Sequence, residues 1–260
     1  MPFGISEVLM WIFLAAFPFF AICLMIKYHK AENLKVNFVK PRKEATLAIG
    51  YVFTCFLIIA VIFFILYQSA GGPIGTPKEY SLRRALSEWA LYAAIFIIPI
   101  LVIVRARHQI FETIGITRKN VRFSIAVGLV AGIAFSLPVL GLSKTLQDLL
   151  EKLFTTNSFY GLVYYLAVGF GEELMFRGFL QLRCCSWLGE TKGLIFASTI
   201  MALGHLPERI FAVGLDPMQA LVSAISLLPI SLVLGFLMLK TRNTLGPAIL
   251  HTMIDWVSVL

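Results

Sequence analysis

Three short stretches hold acid, base and imidazole groups at spacings suited to proton transfer. One is Gly169-Phe170-Gly171-Glu172-Glu173-Leu174-Met175-Phe176-Arg177-Gly178, another ends in His205-Leu206-Pro207, and the last carries His251 and Asp255. On a helix Glu173 and Arg177 are four apart with the acid first, the favourable order for a pair, so they read as a structural brace. Glu172 is turned about 100° from its neighbour and lies five residues from Arg177. It is left without an obvious local partner, which suits a general base. His251 and Asp255 are also four apart, so the acid can orient the ring or both can face one cavity. His29 and His108 fall in basic loops and read as solvated.

These residues must be positioned by elements unlike those of a water-soluble domain. The 260 residues are 59% hydrophobic and 14% charged, against about 25% charged in a typical soluble domain, and the mean hydropathy is +0.86. The net charge of +8 would fit nucleic acid, but the basic residues sit in short gaps between apolar runs, where membrane topology explains them. No nucleic-acid partner is expected. The four cysteines form no disulfide or zinc framework, Cys184 and Cys185 being adjacent. They read as free thiols, the vicinal pair being also a site that acylation could use.

A helix needs roughly 20 apolar residues to cross a bilayer. Eight runs come near this: Val8–Ile26, Ala45–Tyr67, Leu86–Val104, Phe123–Leu142, Phe159–Leu182, Gly193–Leu206, Pro217–Leu239 and Leu245–Leu260. The expected fold is an all-α polytopic bundle of about eight transmembrane helices around a conical or cup-shaped cavity, since open strands would leave backbone groups unsatisfied in lipid. The segment Ser143–Thr156, with Leu142, Leu146, Leu149, Leu150 and Leu153 among Lys144, Asp148, Glu151 and Lys152, reads as a helix lying on the membrane surface.

Most Lys and Arg fall in alternate gaps: Lys27, Lys30, Lys35 and the cluster to Lys43, then 105–122, then Arg183 and Lys192, then Lys240 and Arg242. That side is assigned to the cytoplasm and both termini to the outside. Counted from the cytoplasmic ends, Glu172 and His251 come out about 10–15 Å deep and His205 near 18 Å. The run carrying His205 is short for a full crossing. Residues 1–80 read as accessory front helices and 81–260 as the functional core, with Gln68–Tyr80, rich in Gly and Pro, as the flexible connector. The glycines at 169, 171, 178 and 204 would let neighbouring helices approach closely.

The motifs resemble those of the CPBP family of intramembrane proteases, which includes the CAAX prenyl endoproteases. The family pattern Glu-Glu-x-x-x-Arg, Phe-x-x-x-His and His-x-x-x-Asn or Asp is matched by Glu172-Glu173-x-x-x-Arg177, Met201-x-x-x-His205 and His251-x-x-x-Asp255. Gly115-Ile116-Thr117-Arg118 resembles the lead-in to the family core, so the likeness covers residues 110–256. Met201 departs from the usual Phe and bears on substrate shape. The resemblance implies peptide-bond hydrolysis in the membrane, with Glu172 and His205 activating water and His251 and Asp255 stabilising the oxyanion. Its partners would be a membrane-associated, prenylated or lipid-anchored peptide or protein and the bilayer itself. Members are described both as metalloproteases and as glutamate-dependent proteases. Glu172, His205 and His251 could form a His₂Glu zinc site, and spacing does not choose between the mechanisms. Two other readings are a transporter using the same groups as a cation path and a catalytically idle immunity or binding relative. The absence of an internal repeat counts against the first, and the complete motifs count against the second.

Overall fold

The computed structural model describes residues 5–28, 38–75, 77, 79–141 and 146–260. His29, Lys30, Lys35, Lys78 and the stretch 142–145, which enter the topology and surface-helix expectations, lie outside the described residues. The described chain is all helical, as expected of a polytopic membrane protein. Its α-helices are α1 (Ile5–Tyr28), α2 (Pro41–Ala70), α3 (Leu82–Tyr92), α4 (Ile98–Ala106), α5 (Val121–Gly141), α6 (Leu146–Leu153), α7 (Thr156–Glu173), α8 (Leu182–Leu188), α9 (Glu190–Gly204), α10 (Pro217–Ser226), α11 (Leu228–Thr241) and α12 (Leu245–Trp256).

Five segments among the described residues are long and apolar enough to cross a bilayer: Ser6–Tyr28, Pro41–Ala70, Leu82–Ala106, Val121–Gly141 and Pro217–Thr241. The other three expected runs carry the ionisable motifs. Of these, α9 has 15 residues and α12 has 12, so neither spans alone. α12 packs against the longer α5 and α7, and α9 against α8 and α11. The third does not stop at Leu182 as expected. α7, a π-helical stretch Leu174–Gln181 and α8 follow one another without a break to Leu188. That puts Glu172 about 24 Å from its far end at 1.5 Å per residue, where an end at Leu182 would have put it about 15 Å away.

Proline explains one helix irregularity that matters for the site. Pro99 lacks the N–H that would bond Ile95, and the backbone opens into a π turn at Ala93–Ile97. The Tyr51 hydroxyl on α2 donates to the freed Ile95 carbonyl at 2.5 Å. Near His205, α9 ends at Gly204 and another π turn covers Glu208–Ala212, here following Pro207 rather than preceding the proline.

The lead-in at Gly115 anchors the last helix. Gly115 has φ +73°, and an added Cβ would collide with Thr244 and Met238. Its carbonyl accepts from Thr244 N–H at 3.0 Å, and the Thr244 hydroxyl donates to the Ile114 carbonyl at 2.9 Å. The Asn243 amide donates to the carbonyls of Thr117 and Lys119 at 3.0 and 3.1 Å. These bonds fix the start of α12, six residues before His251.

Three expectations need correction. Arg183, expected in a cytoplasmic gap, is fully buried. Its guanidinium lies over Phe179 and Phe38, donates to Gln109 at 2.6 Å, and sits 3.8 Å from Glu44, which also pairs with Arg107. Burial of such an arginine demands partners, and α2 supplies the carboxylate. Cys184 and Cys185 are likewise buried, Cys185 against Gly193 of α9, so they do not present an acylation site. The connector is tied at Gly75, one of its described residues, whose N–H donates to the Ala212 carbonyl at 2.9 Å.

Candidate active site

The motif side chains fall into two groups. The inner group centres on Glu173 and Arg177, both fully excluded from solvent. Glu173 Oε2 lies 3.3 Å from Arg177 Nε, close for opposite charges though misaligned for a hydrogen bond. Glu173 Oε1 lies 2.9 Å from His251 Nδ1, so this acid ties α12 to α7 as well as bracing Arg177. That second contact was not expected. The same arginine donates to the Met201 sulfur at 2.8 Å and to the Ser231 hydroxyl and carbonyl at 3.1 Å each. Ser231 in turn exchanges hydrogen bonds with Ser198 at 3.2 Å. Met201 therefore touches the brace, where a question of substrate shape was expected.

The outer group faces more open space. Side-chain exposure rises from 14% at Glu172 to 20% at His205 and 30% at Asp255, whereas Glu173 and Arg177 have none. The Tyr92 hydroxyl donates to Glu172 Oε1 at 3.1 Å. Oε2 has no hydrogen-bond partner among the described residues and points to His205 Nε2, 4.0 Å away. His205 Nδ1 lies 2.9 Å from the Met201 carbonyl, which can only accept. The ring proton therefore belongs on Nδ1, leaving the Nε2 lone pair toward Glu172. His251 Nε2 lies 3.4 Å from Asp255 Oδ2, so a carboxylate stands at each of its nitrogens. Glu172 is within electrostatic range of both His251 and Asp255, and His205 is within that of Asp255.

Close packing holds the groups together. Added Cβ atoms would strike Thr252 and the Ala248 carbonyl at Gly169, Tyr92 at Gly171, the Ile114 carbonyl at Gly178 and Phe56 at Gly204. The expectation that these four glycines admit close neighbours holds at each.

A zinc ion would need Glu172, His205 and His251 to converge. Among the described residues no three His, Cys, Asp or Glu side chains are grouped to hold a metal, and both His251 nitrogens already face carboxylates. The donor set does not fit a His₂Glu zinc centre. Tyr92, Ser231 and the Met201 sulfur were missed from the sequence. Each acts across helices, and spacing along one helix carries no signal for them.

Residues 154–257 match the family described as Type II CAAX prenyl endopeptidase Rce1-like. Over that stretch, which holds all three motifs, the chain is similar to this family, in line with the CPBP-like motifs. No curated protein and no solved structure matches it. Its five long apolar helices and this likeness support an integral membrane protein.

Proposed function

We propose that the protein is an intramembrane endopeptidase cleaving membrane-tethered, CAAX-type peptides by a glutamate-dependent mechanism. The observation that supports this most directly is the unbonded Glu172 Oε2 facing the His205 Nε2 lone pair across 4.0 Å. One water with arms of about 2.8 Å spans that gap. Glu172 takes a proton from this water as its oxygen attacks the scissile carbonyl, and His205 aligns it by accepting the other hydrogen bond. The tetrahedral oxyanion forms near His251, whose ring is held by Glu173 behind and Asp255 in front. An N–H on His251 Nε2 then stabilises the developing charge. The proton held by Glu172 passes to the leaving amine as the C–N bond breaks.

The wet pocket opens to the cytoplasm in this reading, where prenylated C-terminal tails are reached, and both termini lie outside. Residues 1–80 act as scaffold for the catalytic core. The test uses purified protein in detergent with a farnesylated, internally quenched CAAX-type peptide. Glu172→Ala should abolish cleavage with an unchanged melting midpoint, and a zinc chelator should leave the wild type active. Cleavage that survives Glu172→Ala overturns the mechanism.

A further inference from the structure

Tyr92 has no part in that mechanism, yet its hydroxyl holds the carboxylate on which the mechanism turns. It lies on α3, outside the residues that match the family. Its hydroxyl donates to Glu172 Oε1, the oxygen turned away from His205. The ring reaches this position because Gly171, the residue before Glu172, has no side chain to block it. Phe96 supports the ring edge-on at 4.9 Å.

The backbone around Tyr92 is itself pinned on both sides. One turn earlier, Trp89 Nε1 donates to the Val163 carbonyl of α7 at 2.9 Å. Immediately after Tyr92 comes the π turn that Pro99 imposes and Tyr51 satisfies. A phenylalanine would fill the same space against Gly171 and Phe96. Only the hydroxyl addresses Glu172.

We infer that Tyr92 is a positioning residue for the general base: it occupies Glu172 Oε1 and fixes the carboxylate so that Oε2 alone addresses the water shared with His205. This rests on Glu172 being the base. Without the hydroxyl, the carboxylate is free to rotate about its last side-chain bond, whose preference is broad. The aligned fraction falls, while the surfaces that bind peptide are untouched.

Tyr92→Phe should lower kcat on the farnesylated peptide by about 10- to 100-fold, the scale of a misplaced catalytic group, with KM unchanged. Gly171→Ala, which pushes the ring aside, should lower kcat in the same way. The double variant should lose less than the product of the two losses. A readout that needs no substrate is the infrared difference between wild type and Glu172→Gln: the carboxylate stretch should shift in Tyr92→Phe. Wild-type kcat, a loss shared with KM, or an unmoved stretch overturns the inference. Glu172→Ala separates the failures. If it is dead while Tyr92→Phe is fully active, only the role of Tyr92 falls; if it still cleaves, both readings fall.

Discussion

Asp255 stands 3.4 Å from His251 Nε2 and is the most exposed of the motif side chains. An ionised carboxylate repels an oxyanion, so Asp255 helps either by orienting His251 or by donating a proton of its own. An amide would do both without the negative charge. Asp255→Asn should therefore keep kcat within about tenfold of wild type, whereas Asp255→Ala should lose about 100-fold, on the scale of one lost oxyanion donor. Rates of peptide cleavage by the two variants check this. At this scale the sequence was informative wherever partners share a helix. The four-residue spacings of Glu173–Arg177 and His251–Asp255 predicted real contacts. It was silent on Glu173 with His251 and on Arg177 with Met201 and Ser231, because those pairs cross between helices whose mutual rotation no local pattern sets.

The helices divide by apolarity in a way that follows from what they carry. The runs rich in charge are short or interrupted and sit among longer apolar ones, because ionisable groups must face the bundle interior or water rather than lipid. Apolar length therefore located most runs within a few residues and misjudged the one carrying Glu172, where the chain continues helical past Leu182 to Leu188. π turns have no simple sequence signature, though Pro99 and Pro207 marked the neighbourhoods of two of them. Tyr51 closes the first. Tyr51→Phe leaves the Ile95 carbonyl with only the weak Cys55 thiol donor and should cost about 1 kcal/mol, read as a lowered melting midpoint in detergent. Some loss of kcat should accompany it, since the same turn carries Tyr92.

Over the whole molecule, the front helices are built into the core. α1 packs on α5 and α11, α2 packs on α8, and Glu44 of α2 answers the buried Arg183. Nothing in the apolar runs announced this, since Arg183 in a basic gap is as consistent with a solvated loop as with a buried ion pair. Removing the partner of a buried charge costs about 3–5 kcal/mol, so Glu44→Ala should express poorly or melt well below wild type, while Glu44→Asp should recover part of the loss. Burial makes a parallel prediction for the thiols. Maleimide should modify Cys184 and Cys185 only after denaturation, read by mass spectrometry of digested protein, because both residues are buried.

The ring of Phe56, resting on Gly204 beside His205, has a practical bearing on attempts to trim the protein. A shortened chain beginning near residue 110 would retain every signature side chain. It would nonetheless leave a bare patch beside an imidazole, open to acyl tails or stray solvent. Designers of a minimal version would need to graft a substitute aromatic there, or accept a catalyst whose histidine wanders.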